Sequence, residues 1–123
     1  MGNHNLRFLV AEDEFILALE IKQLLEDMGF EVTSLVSTAL EAITRSETEK
    51  PDIILMDVRL PGINGNTATG IIKKINPKIK IIAQTAYATA TDRQSAMESG
   101  SDDYISKPIN KELLIEKLYY LFK

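Results

Sequence analysis

Apolar residues fall into five short runs, each followed by a segment in which they recur at helical spacing. Leu6-Arg7-Phe8-Leu9-Val10-Ala11 is rich in strand formers and stops abruptly at Glu12-Asp13-Glu14, as a short buried strand does. Next, Leu17, Ile21, Leu24, Leu25 and Met28 recur at steps of 4, 3, 1 and 3. That is the stripe of an amphipathic helix, and Gly29 follows as a natural terminator. A second strand is predicted over 31–36, then a short helix over 38–45 with a weak stripe of Leu40 and Ile43. Pro51 breaks the chain before Ile53-Ile54-Leu55-Met56, which is apolar on both faces of the pleat and ends at Asp57. A central parallel strand covered by helices on both sides reads this way.

Leu60-Pro61-Gly62-Ile63-Asn64-Gly65 is turn chemistry, and Ala68, Ile71, Ile72 and Ile75 then mark a third helix that Gly70 weakens and Asn76-Pro77 ends. Residues 80–85 form the fourth strand. Thr91-Asp92-Arg93-Gln94 has the spacing of a capping box, opening a helix that closes at Gly100 with a thin apolar face of Ala90, Ala96 and Met97. The last strand spans 103–106, Lys107-Pro108 turns the chain, and Leu114, Leu118 and Leu121 with Ile115 and Phe122 mark a final helix from near Asn110. Five uninterrupted strand–helix units predict an α/β fold: a doubly wound, flavodoxin-like, five-stranded parallel sheet with right-handed crossovers and helices on both faces.

Length and composition narrow the chemistry. With 123 residues, 45% apolar and 26% charged, the chain makes one domain with its own core and no need of staples. Zero cysteines exclude disulfides, a thiol nucleophile and cysteine-ligated metals, and suit a reducing compartment, so a cytoplasmic location is expected. The single histidine, His4, lies in a polar start (residues 1–5) that reads as flexible, away from any triad and with no second histidine for a metal. Any metal must be held by oxygen. A net charge of −4 without a dense Lys/Arg run argues against direct nucleic-acid binding. No apolar stretch approaches the ~20 residues that cross a bilayer, and Leu6 stands where a myristoylation signal wants Ser or Thr, so no membrane contact is expected.

In doubly wound sheets ligands bind beyond the carboxyl ends of the strands, and for the order 2-1-3-4-5 the switch point lies between strands 1 and 3. Glu12 and Asp13 follow strand 1, Asp57 ends strand 3, Thr85 ends strand 4 and Lys107 follows strand 5. Singly, each has a plainer reading: Asp57 as a turn cap, Thr85 as a strand former, Lys107 as a solvated lysine, Tyr104 as a core aromatic, Glu14 as a helix N-terminal acid. Their convergence carries the inference. Three carboxylates repel unless a cation joins them, and with oxygen donors alone Mg²⁺ fits best, leaving room for a phosphoryl group beside Lys107 and Thr85. Asp57, alone at the end of a buried strand, is the best-placed nucleophile for an aspartyl phosphate; Glu12 and Asp13 are better suited to the metal. Ala86 is small enough to leave the site open.

These residues resemble the receiver domain of two-component response regulators. The likeness runs through Leu-Val-Ala-Glu12-Asp13-Glu, Leu-Met-Asp57-Val-Arg-Leu-Pro61-Gly-Ile-Asn-Gly65, Ala-Gln-Thr85-Ala86-Tyr87-Ala and Asp-Tyr104-Ile-Ser-Lys107-Pro108, and so covers residues 6–123. It implies that Asp57 takes a phosphoryl group from a phosphohistidine on a histidine kinase or histidine phosphotransfer domain. Glu12, Asp13, Asp57 and the Arg59 backbone carbonyl would surround Mg²⁺, and Lys107 would pair with the phosphoryl oxygens. Thr85 would close on that group while Tyr104 swings inward, moving the face of the fourth helix, last strand and last helix. The resemblance further implies a cis peptide before Pro108 and an acyl-phosphate lifetime tuned by Arg59 and Tyr87. Glu12 stands where the family often has Asp, one methylene shorter. The thin stripe of the fourth helix independently marks it as the element that moves at least cost.

Competing readings fit less well. An aspartyl-phosphate hydrolase needs an Asp two positions after the nucleophile, where Arg59 stands. A Walker-type nucleotide binder needs a glycine-rich loop after strand 1, where three acids stand instead. A receiver-like module that acts by docking alone would not require every site residue. The segment Ile-Ala-Gln-Thr-Ala-Tyr-Ala is similar to receivers attached to hybrid sensor kinases.

Overall fold

The computed structural model describes residues 5–86 and 89–123. Along the chain run β1 (Arg7–Ala11), α1 (Phe15–Asp27), β2 (Glu31–Val36), α2 (Ala39–Glu49), β3 (Ile53–Asp57), α3 (Gly65–Ile75), β4 (Lys80–Thr85), α4 (Ala90–Glu98), β5 (Asp103–Ser106) and α5 (Lys111–Phe122). All strand pairs are parallel, in the order β2-β1-β3-β4-β5. Every residue of β3 is buried, because β3 sits mid-sheet with helices on both sides.

Pleat alternation divides the core in two. Leu9, Ala11, Ile54, Met56 and Ile81 pack with Ala39 and Ala42 of α2 and Ala68 and Ile72 of α3. Phe8, Val10, Ile53, Leu55, Ile82 and Ile105 pack with Ile21 and Leu25 of α1 and Leu114 and Leu118 of α5. The helices on the two faces therefore read opposite parities of the same strands.

Caps fix where the helices begin. Thr38, Asn64 and Asn110 accept the backbone N–H of Glu41, Thr67 and Leu113, so α2, α3 and α5 start where an N-cap oxygen takes an orphan donor. Gly29, at φ 89°, ends α1, a left-handed conformation that glycine adopts without a Cβ penalty.

Several sequence expectations are corrected. The α4 cap is Thr89, whose hydroxyl accepts the Asp92 N–H at 3.0 Å, and Thr91 lies inside the helix; both threonines precede an acid or amide by three residues, and the earlier one closes the turn. Of the expected α4 face only Ala96 is buried, with Met97 42% exposed. Helix α2 runs four residues further than expected and buries Ala39, Ala42 and Ser46, while Leu40 points to solvent. Small residues there let the helix lie close to the sheet. Ile115 likewise faces out, since Leu114 and Leu118 complete the inner stripe of α5. Helix α3 starts at Gly65, three residues before the first apolar position of its stripe.

Candidate functional site

Strand register builds the site. Asp57 pairs with Gln84, Gln84 with Ile105, and Ala11 with Met56, so Glu12, one step past Ala11, continues the same transverse row. Glu12, Asp57 and Gln84 are thus neighbours on the α1/α5 face at the carboxyl edge of the sheet. Asp13 projects beyond that row into solvent.

Glu12 and Asp57 are buried, 2% and 3% exposed. Lys107 reaches back from the end of β5 over β4, and its ammonium donates to Asp57 Oδ2 at 2.9 Å and stands 2.7 Å from Glu12 Oε1. The ammonium thus lies against both buried carboxylates at once. The other oxygens are held by backbone: Arg59 N–H donates to Asp57 Oδ1 at 3.0 Å, and Glu14 N–H to Glu12 Oε2 at 3.1 Å. Burial raises the Glu12 pKa above the ordinary carboxylate range; contacts with Lys107 and the Glu14 N–H only partly reverse that shift, and the Asp57 charge adds to it. Burial works to lower the Lys107 pKa, but its contacts with Glu12 and Asp57 outweigh it and hold the ammonium more firmly than in water.

One carboxylate oxygen each from Glu12, Asp13 and Asp57 lie within 4.8 Å of one another. The donors are hard oxygens, with no nitrogen or sulfur ligand in the group. Such a set suits a small divalent cation that keeps part of its water shell.

Thr85 and Tyr104 lie on the opposite face. Thr85 is buried at the end of β4 and Ala86 after it is exposed. Tyr104 pairs with Ala83 and borders a cavity of about 560 Å³ with Thr89, Ala90, Arg93, Gln94 and Met97. Burial raises its phenol pKa, with Asp92 adding to the shift and Arg93 opposing it. The Lys107–Pro108 peptide is cis. Tyr87 lies outside the described residues.

Two residues of the site carried no functional reading in the sequence. A Cβ on Gly65 would overlap the Asp57 carbonyl oxygen, so the turn after β3 closes only around glycine; the Gly65 N–H donates to Val58 O at 3.0 Å. Gln84 is fully buried with neither side-chain amide atom hydrogen-bonded. A polar residue inside an otherwise apolar run was its only signal.

The model of the response regulator receiver domain matches residues 8–119. This chain belongs to that family. The receiver domain is 31% identical to the chemotaxis protein CheY of Thermotoga maritima, over 91% of this chain and 93% of that protein. It is 36% identical to the sensor protein GacS of Pseudomonas syringae over 89% of this chain. The chain spans 13% or less of the length of the sensor kinases that it matches. Among solved structures, the CheY-like receiver of Methanospirillum hungatei superposes with a TM-score of 0.84 at 32% identity, over 94% of this chain and 91% of that one. The receiver domain is thus a module of two-component signalling with a CheY-like fold. No helix among the described residues is long and apolar enough to cross a membrane.

Proposed function

We propose that this receiver domain takes a phosphoryl group from a phosphohistidine of a histidine kinase or histidine phosphotransfer domain onto Asp57, in the cytoplasm. The observation that carries this reading is the buried Asp57 carboxylate, fixed by the Arg59 N–H and Lys107 and set within 4.8 Å of two further carboxylates. In the transfer an Asp57 oxygen forms its bond to phosphorus as the P–N bond breaks. The electron pair leaves with the imidazole, which takes a proton from solvent. Positioning and charge neutralisation govern such a step.

Glu12, Asp13, Asp57 and the Arg59 carbonyl would hold Mg²⁺. Bound there, Mg²⁺ would offset the acidic row and the charge on the transferred oxygens. Lys107, on losing the Asp57 carboxylate charge, would pair with the phosphoryl oxygens, and the Thr85 hydroxyl would close on the same group. Tyr104 borders a cavity against α4, into which its ring can move. Helix α4 buries only Ala96, so the α4-β5-α5 face would shift at the least cost and serve as the output surface. Hydrolysis of the aspartyl phosphate by water would reset the domain, at a rate tuned by the Arg59 and Tyr87 side chains.

The test is intact mass after incubation with acetyl phosphate and Mg²⁺, and separately with a purified phosphohistidine donor, beside Asp57→Asn and a chelated sample. One phosphoryl group is expected, absent from both controls. A folded, Mg²⁺-binding domain that gains no mass from either donor would overturn the reading in favour of docking alone.

A further inference from the structure

The unused polar group nearest the site is Gln84. Its row across the sheet, Glu12–Asp57–Gln84–Ile105, runs from the acidic pair to the apolar layer under α5. Lys107 stands two residues beyond Ile105 on the same face and reaches Asp57 on β3. Its chain must therefore cross β4 diagonally, from the level of Ala86 to that of Asp57, and of the two residues on that face, Gln84 of β4 and Ala86 just beyond it, only Gln84 carries a polar side chain. A fully buried amide with no hydrogen bond is costly to hold, and in an apolar layer a leucine of similar volume would carry no such cost.

The Lys107 ammonium has three N–H donors. One goes to Asp57 Oδ2 and the ion contact to Glu12 takes up a second direction. When Asp57 becomes an acyl phosphate, the carboxylate that now orients the ammonium loses its charge, and an acceptor that does not change with phosphorylation can keep Lys107 in place.

We propose that Gln84 is a positioning residue for Lys107, its side-chain amide oxygen anchoring the ammonium, directly or through one bridging water, while Asp57 passes from carboxylate to acyl phosphate. The inference rests on Asp57 being the phosphoacceptor. Being neutral, the amide supplies an acceptor without a third negative charge in the row. Its cost in the resting domain is offset in the phosphorylated one.

The test is a double-mutant cycle of Gln84→Met and Lys107→Ala in the intact chain, reading the rate of phosphorylation by acetyl phosphate, the half-life of the aspartyl phosphate and the urea midpoint. Gln84→Met keeps the length and burial and removes the acceptor. It is expected to fold with an equal or higher urea midpoint, yet to be phosphorylated about tenfold more slowly, the effect of one hydrogen bond to a charged group. In the Lys107→Ala background the same substitution should change the rate less than twofold, because the group that Gln84 positions is gone. Wild-type rate and half-life in Gln84→Met would overturn the proposal, as would an equal slowing with and without Lys107. Gln84→Leu serves as the apolar variant should Met pack poorly. A wild-type chain that gains no phosphoryl group from acetyl phosphate or a phosphohistidine donor would instead refute the phosphoacceptor reading itself.

Discussion

Two alanine substitutions in α3, five residues apart, should act in opposite directions. At Gly65 an added Cβ would collide with the carbonyl oxygen of Asp57 and lie 2.9 Å from its carbonyl carbon and 3.1 Å from Val58 Cα. All three obstacles are backbone at the end of β3, so no side chain can swing aside. Overpacking a tight site costs typically ~1–3 kcal/mol, and a rigid backbone obstacle belongs at the top of that range. Displacing the turn also strains the Gly65 N–H bond to Val58 O, worth about 1 kcal/mol. The helix preference of Ala over Gly returns no more than about 1 kcal/mol, leaving a net loss of roughly 3 kcal/mol. At Gly70 the new Cβ would meet only Ser99 O at 3.5 Å, an ordinary contact, so Gly70→Ala should gain about 0.5–1 kcal/mol. Urea unfolding reads both: with a slope of about 1–3 kcal/mol per molar, Gly65→Ala should lower the midpoint by roughly 1–3 M and Gly70→Ala raise it by a few tenths. Equal shifts of the two midpoints would refute the close-approach argument, and so would a stable Gly65→Ala.

Three further outcomes follow from named contacts. Asp102→Ala should cost about 2–3 kcal/mol, because Asp102 Oδ2 accepts from both the Lys73 ammonium and the Ile81 N–H at 2.9 Å, and its loss leaves the Ile81 N–H without that acceptor and the largely buried ammonium with only the Pro77 and Ile79 carbonyls and no counter-charge. This contact lies at the start of β4 and β5, far from Asp57, so acetyl-phosphate kinetics should be unchanged; altered kinetics would show that the two ends of the sheet are coupled. Thr89→Ala should remove the α4 cap at a cost of about 1 kcal/mol, seen as faster amide exchange confined to α4; exchange that speeds equally in α5 would count against it. The raised Glu12 pKa means that the fold binds its proton more tightly than the unfolded chain does. Its contribution to metal-free stability should therefore fall as pH rises from the ordinary carboxylate value through the raised one. Chemical denaturation in chelator across that window should show this slope in the difference between wild type and Glu12→Gln; a flat difference would show that burial does not perturb Glu12.

The strand order and the acidic edge were legible because they rest on exceptions to a strong rule. Each apolar run ends in a polar residue, at Glu12, Ser37, Asp57, Thr85 and Ser106, and a parallel sheet brings all such ends to one side. Helix faces were less legible where small residues do the packing. Leu40 and Met97 look like core positions by hydrophobicity, yet the inner surfaces are Ala39, Ala42 and Ser46 in α2 and Ala96 in α4. Gly65 read as turn chemistry, and only the fold shows that its missing side chain is occupied by the Asp57 carbonyl. Gln84 read as a strand position because its significance lies in register, which aligns it with Asp57 across two strands far apart in sequence.

Register also explains how a change at Asp57 can reach α4. The acidic row lies on the α1/α5 face, whereas Thr85 and Tyr104 face the other layer, so the two sides of the site communicate through β4 and β5 themselves. Gln84 and Thr85 are consecutive on β4, one under the Lys107 path and one on the switch side, and Lys107 N–H donates to Thr85 O at 2.8 Å. If Thr85 closes on a phosphoryl group as proposed, its movement would pull on the backbone that carries Lys107. Its nearest soft neighbour is α4, held by one buried alanine and the Thr89 cap, whereas α1 and α5 are anchored by Ile21, Leu25, Leu114 and Leu118. On the proposed function, a local rearrangement would therefore move α4 first, since the response follows the element with the least burial to lose.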